Sequence, residues 1–223
     1  CSLGQDIQFS MFYSVPLYLN PAFAGSRHAN RAILHQRWQW PSQAGRFITT
    51  QFSFDTYAPR YNSGVGLMVF KDEQGVNGIT SYKIVGQYAY ELRLSSRYSL
   101  RAGLEGGFQQ INVNYENLPS WFNNEGLVNR GSEGSFNKMF PDIGSGLIFY
   151  DRNLWLSTSF HHLNRPNQGF IRDPLYIKFT VSGGYKIPIS LGAPASSRGL
   201  HAAPDLIFLT PTFTYKNQGP NDQ

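Results

Sequence analysis

The stretch "SYKIVGQYAYELRL", residues 81–94, alternates regularly between two kinds of side chain. Because successive side chains of a β-strand point to opposite faces of the sheet, it predicts a strand with one apolar and one polar face. The apolar face consists of Tyr82, Ile84, Gly86, Tyr88, Tyr90, Leu92 and Leu94. The polar face consists of Ser81, Lys83, Val85, Gln87, Ala89, Glu91 and Arg93.

Residues 98–110 and residues 175–187 repeat this alternation. The three predicted strands are about 11–14 residues long, whereas strands of globular sheets most often have about five or six residues. A strand that crosses a bilayer at a tilt needs about 9–11 residues. The strand length therefore favours a membrane-spanning β-barrel over a soluble β-sandwich.

Weaker alternating segments bring the predicted total to nine strands. They are Asn30–Trp40, Phe47–Tyr57, Gly64–Lys71, Asp142–Tyr150, Leu154–Leu163 and Asp205–Lys216. Single-chain bacterial barrels have an even number of strands, so nine indicates either a miscount or a chain without its C-terminal strands; we favour the second. The predicted fold is all-β, a transmembrane antiparallel up-and-down β-barrel of the outer-membrane type.

The predicted connections differ systematically in length. Residues 94–98 and 150–154 are short turns, whereas residues 71–80, 112–139 and 163–173 are long and rich in Gly, Asn and Asp. In outer-membrane barrels short turns face the periplasm and long loops face outward. Strand parity places the three long loops outside. Residues 187–205 are the exception, because this connection is long on the periplasmic side. It indicates either a periplasmic contact arm or an error in the strand count.

The composition excludes several classes of protein. Aromatic residues make up 15% of the chain and charged residues 15%, which is unlike a disordered protein. No uninterrupted apolar run approaches the roughly 18 residues of a membrane helix. The net charge is +5, but the 19 Lys and Arg residues are dispersed, without the basic patches of nucleic-acid-binding proteins. We therefore predict no nucleic-acid partner.

Cys1 is the only cysteine, and it begins the sequence in place of a methionine. Two processing routes fit this start. Cys1 is a candidate lipidation site behind a removed signal peptide, with Ser2 as its neighbour. Alternatively, Cys1–Gly4 is the end of an ordinary signal peptide, because "SLG" has the small-x-small form of a cleavage site. We favour lipidation, and either route means export.

Catalytic motifs are missing from the sequence. It contains no HExxH, no GxSxG and no phosphate-binding glycine motif, so we predict neither an enzyme nor a cofactor. His161 and His162 are neighbours in a predicted strand. We therefore expect their side chains to point to opposite faces and not to bind a common metal ion.

Charged residues are expected on the face that points into the barrel. They are Lys83, Glu91, Arg93, Arg101 and Glu105. Such charges can form an ion-paired interior or line a channel. For a barrel of modest size we favour the ion-paired and plugged interior.

The N-terminal stretch "QDIQFSMFYSVPLYLNPAFAGS", residues 5–26, resembles the start of the PorP/SprF family, outer-membrane barrels of the type IX secretion system in Bacteroidota. The matching residues are Gln5, Asp6, Gln8, Phe9, Ser10, Asn20, Pro21, Ala22, Phe23, Ala24 and Gly25. Weaker similarities are "HQRWQWP", "PDIGSGLIFY", "SFHHLNRP" and "IFLTPTFTY". The resemblance extends from Gln5 to about Tyr215. Members of the family usually continue through several more strands, which supports a missing C-terminal part.

The resemblance implies a non-enzymatic protein of the bacterial outer membrane. It would assist secretion or surface anchoring of a large adhesin-like cargo by binding the cargo's C-terminal domain. Implied partners are outer-membrane lipid, the cargo and other type IX secretion components. Residues 1–25 would form the exported N-terminus and a plug or cap, with Asn20, Pro21 and Gly25 turning the chain into the barrel of residues 26–223.

One long loop, residues 112–139, is the candidate cargo-contact site through Trp121, Phe122 and Phe136. Aromatic side chains among Asn and Gly are typical of adaptable binding surfaces, although packing within the loop is an equal alternative.

Two alternative functions remain open from the sequence. A passive outer-membrane pore or solute channel needs only the polar inner face. A soluble lipocalin-like carrier would instead bury Tyr82, Tyr88, Leu100 and Leu104.

Overall fold

The computed structural model describes residues 14–39, 47–74, 79–114, 135–167, 175–189 and 207–219. Helical structure in these ranges is limited to single turns, namely the α-helix α1 (Pro16–Leu19) and 3-10 turns at Pro21–Phe23 and Pro59–Tyr61. The strands are β1 (Arg31–Gln39), β2 (Phe47–Ala58), β3 (Ser63–Gln74), β4 (Ile79–Arg93), β5 (Ser99–Asn114), β6 (Ser135–Tyr150), β7 (Leu154–His161), β8 (Lys178–Tyr185), β9 (Ile187–Ile189), β10 (Ile207–Leu209) and β11 (Thr212–Gln218). None of the helices in the described ranges has the length and apolarity to cross a membrane.

Nine strands form one curled antiparallel sheet in the order β1-β2-β3-β4-β5-β6-β7-β8-β11. The predicted all-β antiparallel meander is confirmed, with nine strands in the main sheet of the described residues. Within those residues β1 pairs only with β2, and β11 only with β8. The turns at 59–62, 94–98 and 151–153 all lie at one end of the sheet, which we call the short-turn end.

The two faces of the sheet have opposite chemistry. On the outer face Tyr82 is 41% exposed, Tyr88 48% and Leu104 63%. On the inner face Arg101 and Glu105 are buried. A protein surrounded by water would bury its apolar side chains and expose its charged ones. The apolar outer face therefore indicates that a lipid bilayer surrounds the sheet. The alternative of a soluble carrier with buried Tyr82, Tyr88 and Leu104 is therefore wrong.

Several predicted strand limits are wrong. The third strand continues on both sides of the predicted 64–71, and β6 begins at Ser135 rather than Asp142. The apolar alternation is interrupted at Asn137 and Pro141, but β5 pairs with β6 along its whole length. Proline is tolerated there because β7 pairs with β6 only from Ser145 onward.

The long connection between β8 and β11 contains two short strands, β9 and β10. The predicted strand 175–187 begins at Lys178 and breaks at Lys186, and the predicted strand 205–216 divides into β10 and β11. Strands β9 and β10 pair with each other beyond the short-turn end. Because β8 still pairs with β11 in an antiparallel manner, the strand count contains no error at this point.

Candidate functional site

Residues 14–25, which we call the inner segment, cross the inner face of the sheet near the short-turn end. Pro16 opens α1 and Pro21 opens the following 3-10 turn, and proline is favoured at the first position because its fixed φ suits a helix. Asn20 stands between the turns and caps the second one, since its Oδ1 accepts a hydrogen bond from the Ala22 N–H at 2.8 Å. The two prolines and the asparagine thus fold the segment into consecutive short turns.

The apolar side chains of the inner segment supply part of the core. Val15, Leu17 and Ala24 form a buried cluster with inner-face side chains of β3 and β4, namely Met68, Phe70, Val85 and Ala89. The ring of Tyr18 packs edge-on against Phe70, with 5.3 Å between centroids. Burial of a leucine-sized side chain contributes about 1.5–3 kcal/mol, so this contact alone favours a docked segment.

Asn20 fastens the inner segment to β6 and β7. Its Nδ2 lies 2.8 Å from Ser157 Oγ, 2.8 Å from the Thr158 carbonyl and 3.1 Å from the Leu147 carbonyl. The side chain is completely buried. Both ends of the Asn20 amide are therefore used, one within the segment and one on the wall of the sheet.

Arg101 on β5 holds the next part of the segment. Its Nε donates to the Ala22 carbonyl at 3.1 Å, one terminal nitrogen donates to the Ala24 carbonyl, and the other donates to Glu91 at 2.7 Å. Arg101 and Glu91 are both buried. A buried ion pair of this kind is stable only when its remaining hydrogen-bonding groups are satisfied, and the segment carbonyls do this for Arg101.

Two further carbonyls of the segment have partners on the wall. Gln87 donates from Nε2 to the Leu17 carbonyl at 2.8 Å, and Ser159 donates from Oγ to the Leu19 carbonyl at 2.8 Å. Polar side chains of the sheet thus replace the water that the segment's backbone would otherwise need. Because the acceptors of these bonds are main-chain carbonyls, the bonds determine the path of the segment's backbone.

Glycines on the wall allow the segment to approach closely. A Cβ atom at Gly103 would overlap backbone atoms of Pro21 and Ala22, and one at Gly146 would overlap the side chain of Asn20. Gly103 lies on β5 and Gly146 on β6, directly opposite each other in the register. The inner segment therefore occupies a groove that depends on these glycines.

An ion pair closes the end of the segment. The Gly25 N–H donates to Asp55 Oδ2 at 2.8 Å. Arg31, the first residue of β1, binds the same carboxylate with two nitrogens at 2.7 and 2.9 Å. Asp55 therefore joins the inner segment, β1 and β2.

A second group of charges lies on the inner face farther from the short-turn end. Glu105 accepts from Gln87 at 2.9 Å and lies 2.6 Å from His161 Nδ1. Asp142 accepts from Lys83 Nζ at 2.6 Å and lies 2.9 Å from His162 Nδ1. Each carboxylate therefore has a basic partner.

The prediction that the two histidines point to opposite faces is wrong. Both are buried on the inner side, with His161 at Glu105 and His162 at Asp142. Strand β7 ends at His161, and His162 has a φ of 59°, so the alternation of a strand does not apply to it.

The structure places only some of the residues predicted from the sequence in the site. Lys83, Glu91, Arg101 and Glu105 are in the ion-paired interior, whereas Arg93 is 72% exposed at the rim and 3.9 Å from Glu91. Phe136 lies in β6 and not in a loop. Cys1, Gln5, Asp6, Gln8, Phe9, Trp121 and Phe122 lie outside the described residues.

Sequence reasoning missed several members of these networks. They are Arg31, Asp55, Gln87, Asp142, Ser157 and Ser159, whereas His161 and His162 were noticed but not placed in these networks. The polar positions Thr49, Gln51, Ser53 and Asp55 recur every second residue, so the alternation could have marked Asp55 as an inner-face charge.

An antiparallel sheet with long strands, an apolar outer face and an ion-paired inner face defines a membrane-spanning β-sheet protein of the outer-membrane type. A family model described as type IX secretion system membrane protein PorP/SprF matches residues 2–223. The chain therefore belongs to the PorP/SprF family, and the predicted membership is confirmed. A comparison with curated proteins found no match.

Proposed function

We propose that this type IX secretion membrane protein resides in the outer membrane and holds a large secreted cargo by the cargo's C-terminal domain. In this role it assists secretion, retains the cargo at the cell surface, or does both. The lumen is closed at the short-turn end by the inner segment, so the protein acts as a binding platform and not as a passage for solutes. Other components of the secretion system are expected neighbours.

The burial of the inner segment is the observation that carries this proposal. Four of its backbone carbonyls, at Leu17, Leu19, Ala22 and Ala24, accept hydrogen bonds from side chains of the wall. A pore would have water and unpaired polar side chains in this place. Instead, Glu91 and Arg101 neutralise each other beneath the segment. This arrangement favours the platform over the passive pore.

We place cargo contact on the hairpin of β5 and β6. Pairing between the two strands continues to Asn114 and Ser135, whereas β7 pairs with β6 only from Ser145. Leu163 and Asn164 bond the edge of β6 at Ile143 and Pro141. Among the described residues the hairpin therefore extends beyond these contacts by residues 135–140, about six residues or roughly 20 Å of strand. An extended strand edge can bind a partner strand through main-chain hydrogen bonds, with pockets for alternate side chains.

The test is a pull-down of the protein from native membranes in mild detergent, followed by mass spectrometry. We expect one very large secreted protein, bound through its C-terminal domain. The double variant Trp121→Ala/Phe122→Ala should retain about thirtyfold less of it, the loss that corresponds to a central aromatic contact. Trp38→Ala is the matched control, because Trp38 is exposed on β1, away from the hairpin.

Two outcomes would contradict the proposal. One is a protein that purifies without any secreted partner and conducts ions in a planar bilayer, which would favour the pore. The other is an equal loss of cargo in the Trp38→Ala control, which would mean that the hairpin is not the specific contact site for the cargo.

A further inference from the structure

The outer face of the sheet has a groove that lies between β4 and β7. Its volume is about 420 Å³, and its walls include Tyr88, Tyr90, Leu104, Leu147 and Phe160. Its floor is made of small residues, Ala102 and Ser145. The groove lies on the side of the sheet opposite the inner segment, so it faces the bilayer and is open to hydrocarbon chains.

An aromatic pair continues this groove toward the short-turn end. Tyr98 stacks on Phe149 with 5.7 Å between ring centroids. Tyr98 directly precedes β5 at the short-turn end, on the same side of the sheet as Ala102 and about 13 Å from it along an extended strand. An aromatic ring at the end of a membrane strand, beside charged turn residues, suits the level of the lipid headgroups, where tyrosine is favoured.

Charged residues lie at this headgroup level. The guanidinium of Arg97 is 5.5 Å from the centre of the Tyr98 ring, and its Nε donates to Asp151 at 2.8 Å. Arg152 is exposed in the adjacent turn. The hydrogen bond from Arg97 lowers the pKa of Asp151, so this carboxyl is ionised at neutral pH. Two arginines and one carboxylate leave a surplus of one positive charge.

We propose that this surface is a binding site for one anionic glycerophospholipid of the leaflet at the short-turn end. One acyl chain lies in the groove over Ala102 and Ser145, the glycerol region lies beside Tyr98, and the phosphate lies at Arg97 and Arg152. Along the surface, the apolar groove comes first, then the aromatic pair, then the arginines with their surplus positive charge. This is the order of acyl chain, glycerol and phosphate in a phospholipid. The site depends on the membrane-spanning fold and not on the cargo proposal.

Native mass spectrometry of the intact protein tests the site, after exchange into micelles that contain either phosphatidylglycerol or phosphatidylcholine with identical acyl chains. We expect one retained lipid and a preference for phosphatidylglycerol. Ala102→Trp fills the groove and should reduce retention of both lipids at least about tenfold. Arg97→Gln/Arg152→Gln should keep the lipid but reduce the preference by about fivefold for each arginine removed.

Matched controls separate the site from the general lipid coat. Leu34→Trp enlarges another outer-face residue, on β1 and away from the groove, and Arg60→Gln removes a charge from another turn. Both should leave lipid retention and preference unchanged. Equal retention by the wild type and Ala102→Trp would overturn the site, as would an equal loss of preference in Arg60→Gln. Because all substituted side chains point away from the core, a correctly folded sheet is expected in every variant.

Discussion

The amide of Asn20 donates to Ser157 Oγ at 2.8 Å, although the two residues are separated by 137 positions in the chain. The contact joins the inner segment to the seventh strand, across the inner face of the sheet. The pairing of β6 with β7 brings Ser157 to that place, next to Leu147 and Thr158. The bond therefore depends on the tertiary structure, and it keeps the inner segment at the short-turn end.

Replacement of Asn20 by alanine should release the inner segment. The change removes the amide that caps the turn and leaves Ser157 and two carbonyls without this partner, at about 1–3 kcal/mol for each buried group left unsatisfied. We expect a lower free energy of unfolding in urea and faster proteolysis within residues 14–25. Asn30→Ala is the matched control, because Asn30 is exposed and bonds only to half-buried Thr56 among the described contacts. Equal proteolysis of both variants would contradict the role of Asn20.

Replacement of Arg101 by methionine should destabilise the protein by about 3–5 kcal/mol, because buried Glu91 would lose its closest basic partner and keep only the longer contacts to His28 at 3.4 Å and Arg93 at 3.9 Å. The double variant Arg101→Met/Glu91→Gln should recover part of this loss, since no charge then remains unpaired. Unfolding in urea in a lipid or detergent environment measures both. Arg60→Met is the control and should stay within about 0.5 kcal/mol, as is usual for exposed residues. A double variant no more stable than Arg101→Met alone would refute the ion-pair account.

Two glycines of β5 provide a matched test of the groove for the inner segment. Gly103→Ala places a methyl group against Pro21 and Ala22, whereas Gly106→Ala meets no heavy atom within 4 Å. We expect Gly103→Ala to displace the segment, which should make residues 14–25 accessible to protease, and Gly106→Ala to behave as the wild type. Equal behaviour of the two variants would mean that the segment does not approach β5 in the membrane.

Two apolar residues with the same exposure provide a test of the membrane-facing surface. Ile84 on β4 and Leu209 on β10 are both 55% exposed, but only Ile84 lies within the long strands of the main sheet. Ile84→Arg should lower the free energy of unfolding by about 1–3 kcal/mol, because a charge on the lipid-facing side costs about 2–4 kcal/mol at the bilayer midplane and less toward the interfaces. Leu209→Arg should have almost no effect, because β10 extends beyond the short-turn end. A small effect of Ile84→Arg in lipid vesicles would argue against a bilayer around the outer face.

The two faces of β4 could be predicted from the sequence, because apolar and polar residues alternate regularly and successive side chains point to opposite faces. The beginning of β6 could not be predicted, because Asn137 and Pro141 interrupt the apolar pattern while pairing with β5 maintains the strand. His162 could not be predicted either, since a positive φ cannot be inferred from the local residues.

The motif residue Asn20 was recognisable in the sequence, but its partners were not. They lie between 127 and 138 positions away, and only the register of β6 and β7 brings them to it. The same reasoning applies to Arg31 and Asp55, whose pairing requires the hairpin of β1 and β2.

Single-channel recording of the native protein in planar bilayers tests most directly whether the inner segment closes the lumen. We expect no steady conductance from the wild type and from Gly106→Ala, and frequent openings from Gly103→Ala and Arg101→Met. The reason is that both of these changes weaken the attachment of the segment to β5. Steady conductance of the wild type, unchanged in the Gly103→Ala variant, would contradict the closed platform and support a solute pore.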